Sequence, residues 1–195
     1  ATGTKDATTF LRGDNTFAEA GGGGAMTLIK SATASGASNV TFEHGSNSVV
    51  IDNTYSSYRI IGLNVTAQND DTNIQIQFST DTGSSYKSAG YYTMTHRNID
   101  GSFRTDLNSD EFAMVMNNLG NSTNEEGAFD FTVFNPSSSS HFTHYQSTGT
   151  TRNNSAAVVF YLSGGIYEAT PAVDGFKIFM TNGNISGTFK LYGIT

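Results

Sequence analysis

The chain has 195 residues, with 10 Lys+Arg against 17 Asp+Glu, a formal charge of −7, no Cys, no Trp, 2 Pro and 21 Gly. That length suits one domain with an appendage and excludes two large domains, while the acidic balance and the lack of any basic run exclude nucleic acid as a partner, since a phosphate backbone must exchange its counterions for cations. Without Cys there is no disulfide framework, thiol nucleophile or Cys-ligated metal, and no stretch approaches the roughly 20 apolar residues of a membrane-spanning helix, so a membrane is not expected as a partner.

Residues 1–25 are small, polar and Gly-rich, with Phe10, Leu11 and Phe17 as the sizeable apolar side chains and four consecutive glycines, Gly21 to Gly24, as a hinge. This composition cannot build a core. It predicts an extended assembly arm at 1–25, anchored on neighbouring chains, followed by a β-sandwich domain at 26–195.

From Met26 onward, short apolar and β-branched runs alternate with Gly, Asn, Asp and Ser clusters, the pattern of an all-β chain. The predicted strands are Met26–Lys30, Ser48–Asp52, Tyr58–Thr66, Asn73–Ser79, Tyr91–Thr95, Phe112–Asn117, Ala128–Phe134, His141–Tyr145, Ala156–Leu162, Gly175–Thr181 and Gly187–Ile194. In Ile74-Gln75-Ile76-Gln77-Phe78, Phe129-Asp130-Phe131-Thr132-Val133 and Phe176-Lys177-Ile178-Phe179 the apolar residues fall at every second place, so one face is buried and the other wet. Between Asp110 and Leu119 a weak helical stripe of Phe112, Val115, Met116 and Leu119 competes with the strand reading.

Two turns are placed by their chemistry. Thr181-Asn182-Gly183-Asn184 separates two alternating runs, and Asn-Gly takes the positive φ values of a tight hairpin, so a C-terminal β-hairpin is predicted. Ser79-Thr80-Asp81-Thr82-Gly83-Ser84-Ser85-Tyr86 follows the S-x-D-x-G-x-x-aromatic pattern of an Asp-box turn. In such a turn the carboxylate of Asp81 bonds to turn amides and Tyr86 covers the hairpin, so Ser79, Asp81, Gly83 and Tyr86 are read as a folding device.

No catalytic residue is assigned. The chain carries many hydroxyls and four His, but no G-x-S-x-G and no strand–elbow–helix setting that would expose a nucleophile. His141 and His144, three apart on a strand, point to opposite faces and cannot share a metal. The run Asp106-Leu107-Asn108-Ser109-Asp110 opens like a calcium loop, but Glu111 stands where that loop needs Gly and Asn117 where it needs Glu. No metal site and no cofactor are expected. Exposed aromatics beside amides suit sugars, and Tyr86, Tyr91 and Tyr92, bracketing a Ser/Gly-rich loop, are the candidate glycan contacts.

The segment Thr9-Phe10-Leu11-Arg12-Gly13-Asp14-Asn15-Thr16-Phe17-Ala18 resembles the (Y/F)LRGD-G-T-W stretch of tail-fibre-like and other virion proteins of tailed bacteriophages, with Asn15 for the usual Gly and Phe17 for the usual Trp. The closing run Ser186-Gly187-Thr188-Phe189-Lys190-Leu191-Tyr192-Gly193-Ile194, with Val133-Phe134-Asn135-Pro136-Ser137-Ser138 and Val173-Asp174-Gly175-Phe176, is similar to small structural proteins of marine phages. The resemblance implies a jelly-roll-like β-sandwich, a homotrimer and a place on the virion exterior, with no enzymatic role. Phe10, Leu11, Arg12, Asp14 and Phe17 would form the arm that docks on other virion proteins of tail or capsid. Host-surface attachment through a surface glycan is the first functional expectation, and capsid decoration or a head fibre the second.

Overall fold

A computed structural model describes residues 1–3, 9–11, 13–19 and 25–195. In chain order its strands are β1 (Thr9–Leu11), β2 (Phe17–Glu19), β3 (Met26–Ala37), β4 (Val40–Glu43), β5 (Ser57–Ala67), β6 (Thr72–Ser79) and β7 (Tyr91–Ile99). They continue with β8 (Ser102–Asp110), β9 (Ala113–Leu119), β10 (Gly127–Phe134), β11 (Thr143–Arg152), β12 (Val158–Tyr167), β13 (Gly175–Met180) and β14 (Ile185–Ile194). No helix occurs among the described residues.

The first two strands form a small hairpin of their own. The other twelve form two antiparallel sheets, one of eight strands in the order β3-β14-β5-β10-β11-β12-β7-β8 and one of four in the order β4-β13-β6-β9. These pack face to face as a β-sandwich. The alternation explains why: Ile74, Ile76 and Phe78 of β6 and Phe176 and Ile178 of β13 turn inward from the small sheet, to meet Tyr58, Ile60, Phe131, Val133, Phe189 and Leu191 of the large one. Each such fully buried side chain contributes roughly 1.5–3 kcal/mol relative to exposure.

The body wraps from both ends. Its first strand, β3, pairs with its last, β14, and the second, β4, with the last but one, β13. The chain changes sheet at eight connections, β3 to β4, β4 to β5, β5 to β6, β6 to β7, β8 to β9, β9 to β10, β12 to β13 and β13 to β14, while the β7–β8 and β11–β12 pairs widen the large sheet. As a result β9 lies across β11, β12 and β7, and the outermost strand, β8, extends past the small sheet.

Several expectations are corrected. Ser48–Asp52 is not a strand. Val49 and Ile51 do enter the core, but the backbone is held by turns and side chains: the Val49 carbonyl accepts from Gly45 N–H (2.9 Å), the Ile51 N–H donates to His44 Nδ1 (3.1 Å) and the Asp52 N–H to the Tyr58 hydroxyl (2.8 Å). The helical alternative over Asp110–Leu119 gives way to β9, whose residues Ala113 to Met116 are all buried against both a neighbouring strand and the opposite sheet. Continuous burial of that kind produces an apolar run that imitates a helical stripe.

The C-terminal strands do not form a hairpin: β13 pairs with β4 and β6 in the small sheet, and β14 with β3 and β5 in the large one. A two-residue hairpin loop of the Asn-Gly kind needs positive φ at both residues, and here Gly183 takes φ +78° whereas Asn182 does not. The turn instead carries the chain across the end of the sandwich beside the β5–β6 crossing. There Thr181 N–H donates to Asn73 O (2.9 Å), Asn182 N–H to Thr72 Oγ1 (3.2 Å) and Gln68 N–H to Asn184 O (2.9 Å). The hairpin geometry appears at Asp100-Gly101, with φ +45° and +88°, where it joins β7 to β8.

Candidate functional site

The turn after β6 is held by the side chains of its own residues. Asp81 Oδ1 accepts from Ser79 Oγ (2.8 Å) and Ser85 N–H (2.9 Å), Oδ2 accepts from Ser85 Oγ (2.5 Å), and Gly83, at φ +85°, donates its N–H to Ser79 Oγ (2.9 Å). The Ser85 hydroxyl and amide, then Ser79, hold the Asp81 carboxyl well below the usual range, at about 2. Ser79, Asp81 and Gly83 therefore spend their polar atoms on the turn. The N–H of Thr82 donates to Asp174 (3.0 Å), and the Asp174 N–H donates to Ser79 O (2.9 Å), which ties the turn to the start of β13.

A pH test follows with a definite sign. The folded chain holds the Asp81 proton less tightly than an unfolded one, whose carboxyl titrates near about 3.9. The turn's contribution is complete above that value and is lost as pH falls through about 2. A carboxyl-carbon NMR titration is expected to give a midpoint for Asp81 at about 2; a midpoint in the ordinary carboxylate range would mean the turn does not hold it.

Tyr86 is half-buried. Its hydroxyl donates to Glu43 Oε1 (2.7 Å), and the Lys177 ammonium sits 4.8 Å from its ring centroid and 5.0 Å from that of Phe179. Burial, then the bond to Glu43, pushes the Tyr86 hydroxyl's pKa up, and burial pulls that of Lys177 down. One face of the ring is thus occupied by a cation rather than open to a sugar. Tyr91 is fully buried in the core: its hydroxyl accepts the Phe78 N–H (2.8 Å), and it is withdrawn as a glycan contact. Its neighbour Tyr92 points outward, 41% exposed. Glu43, Lys177 and Phe179 were missed in the sequence, although Lys177 occupies the wet phase of an alternating strand.

Beside the turn, His44, Ile51, Asp52, Asn53, Ser137, Ala172, Val173 and Asp174 line an open cleft of about 340 Å³. A Ser, a His and two Asp in one cleft invite comparison with a hydrolytic triad. The bonding argues otherwise: His44 Nδ1 accepts a backbone N–H, so the neutral ring carries its proton on Nε2 and presents no base there, the reverse of the triad arrangement. Among the described residues no group of three or more His, Asp or Glu is arranged to hold a metal ion.

The arm segment folds on itself. Leu11 pairs with Phe17 across the β1–β2 ladder, Asp14 Oδ1 accepts from Thr16 N–H (3.1 Å) and Thr16 Oγ1 (2.6 Å), and Phe17 N–H donates to Thr2 O (2.7 Å). Thr16 thereby lowers the Asp14 pKa. Asn15 takes φ +64°, a left-handed conformation that Asn and Gly tolerate. Leu11 is exposed and Phe17 half-buried; Phe10 is placed only as the central residue of β1, and Arg12 lies outside the described residues. No family model and no curated protein matches this chain.

Proposed function

We propose that the chain is a non-enzymatic structural component of a bacteriophage virion, displayed on the particle exterior as a tail-fibre-like homotrimer that attaches to the host surface. The observation that carries this reading is the Thr9–Ala18 segment, with its LRGD residues, ahead of a β-sandwich. Leu11 is the apolar anchor it offers to a neighbouring virion protein, with Phe17 beside it. A jelly-roll reading of the sandwich is supported by the order β3-β14-β5-β10 facing β4-β13-β6-β9, in which the first strand lies beside the last in each sheet.

Capsid decoration is the second reading, and one observation favours it. With Tyr91 buried and Tyr86 capped by Lys177, Tyr92 is left as the open ring of the three aromatics proposed for glycan contact. Both readings are tested with purified protein. Attachment predicts that the protein binds the bacteria its phage infects and competes with phage adsorption. Binding to capsids without binding to cells selects decoration. Binding to neither, or turnover of a host polysaccharide, removes both.

A further inference from the structure

The outward face of β12, β7 and β8 is apolar. Opposed residues in the two ladders, Phe160 with Asn98, Leu162 with His96, Gly164 with Met94, then Asn98 with Phe103, His96 with Thr105 and Met94 with Leu107, put all these side chains on one side of the sheet. The His96 and Phe103 rings, 5.7 Å apart, lie together on it. Phe103 is 68% exposed and Leu107 72%, while Val158, Met94, Phe160, Leu162 and Tyr92 range from 57% down to 41%.

At roughly 200 Å² for a whole large side chain, these residues leave on the order of 700 Å² of mainly apolar surface open. The largest apolar patch of a typical monomer is about 300–600 Å², and a stable protein–protein interface takes about 800 Å² from each partner. The patch is therefore of interface size.

We propose that this face packs against the same face of other copies of the chain around a common symmetry axis. Charge selects that occupant. Every outward position from Val158 to Ile166, Tyr92 to Asn98 and Phe103 to Leu107 lacks Lys, Arg, Asp and Glu, in a chain of net charge −7. Copies that repel one another elsewhere meet here without like charges facing. An anionic lipid surface would be repelled by the same net charge. Shape agrees: the Phe160 and Phe103 rings project, while Met94, His96, Gln146, Leu162 and Gly164 line a shallow depression in which Gly164 supplies no side chain. Equivalent faces thus offer both knob and hole, as contact between identical surfaces requires. The inference does not depend on the virion role; the proposed homotrimer is its three-copy case.

The test is sedimentation equilibrium of the full chain across micromolar concentrations. Wild type is expected at a multiple of 20.8 kDa. Leu107→Asp and Leu162→Asp, each at an exposed position, are expected to keep the far-UV circular dichroism of wild type and to weaken association by about 30-fold or more, the size of an interface hot spot. Phe142→Asp, exposed but in the loop before β11, and Leu11→Asp in the arm are expected to leave the mass unchanged. A wild-type mass of 20.8 kDa at all concentrations overturns the proposal. So does dissociation by Leu11→Asp with the two face variants still associated, or a monomer that floats with phosphatidylcholine vesicles through this face. Failure of host-cell binding with these results intact would count against the attachment role alone.

Discussion

Phe78→Ala is expected to lower the unfolding free energy by about 3–5 kcal/mol, the range for removing a buried aromatic ring. Phe78 lies on β6 in the small sheet, and its ring is the hub between the layers. Its centroid is 5.4 Å from Tyr91, 5.6 Å from Tyr167, 5.9 Å from Tyr145 and 6.5 Å from Phe131, all on the large sheet, and 5.7 Å from Phe176 on β13. Truncation leaves a cavity walled by five rings, each locked by its own neighbours, so the site collapses poorly. The Tyr91 hydroxyl would also lose the packing that aims it at the Phe78 N–H, a bond of 2.8 Å between buried groups. Urea unfolding should show a lower midpoint at unchanged slope. The loss is a large part of the roughly 5–15 kcal/mol that holds a domain together. Phe103→Ala, on the open face of β8, is expected to stay within about 0.5 kcal/mol for the dissociated chain, measured below the concentrations at which copies associate. Equal effects at the two positions would mean that the layers do not meet at Phe78.

The contrast between Phe78 and Phe103 also explains what was legible in the sequence. Alternation reports a strand only where one face is buried and the other wet, which is why β6, β10, β13 and β14 were read close to their true bounds. In β8 neither face is covered from Ser102 to Thr105, and its apolar positions, Phe103 and Leu107, are diluted by Arg104, Thr105 and Asp106. The available signal was Asp100-Gly101, a stronger hairpin mark than Asn182-Gly183 proved to be, because both its residues adopt positive φ. The Asp81 turn was legible because the bonds that define it fall between Ser79 and Ser85. The Tyr86–Glu43 bond was not, since it joins a loop to the four-residue β4, too short to show a period. Tyr91 and Tyr92 show the limit of alternation: it says that one of two adjacent residues points inward, and only the phase set by Thr93 and Thr95, both buried, tells which.

Gly165→Ala is expected to destabilise the fold by about 2–3 kcal/mol or more, the upper range for forcing a group into a packed site. The backbone conformation at Gly165 is open to alanine, so the effect is steric. A Cβ there would stand 2.2 Å from the Tyr92 carbonyl oxygen and 2.7 Å from the Tyr145 hydroxyl. That hydroxyl is itself fixed, 2.7 Å from Thr93 Oγ1 and donating to Tyr92 O at 3.3 Å. Relief therefore requires β7 to move away from β12, which strains the ladder carrying the apolar outer face. Gly62→Ala provides the control, because its Cβ would meet the Phe129 ring at 2.2 Å, a side chain with no backbone atom among its nearest contacts. Phe129→Leu should recover part of the loss from Gly62→Ala, whereas Tyr145→Phe should not rescue Gly165→Ala, since the carbonyl clash remains. Double-mutant cycles by urea unfolding distinguish the two cases. If the packing face proposed for β12, β7 and β8 drives association, Gly165→Ala should also weaken self-association under conditions where the chain is still folded, while Gly62→Ala, on β5, should not.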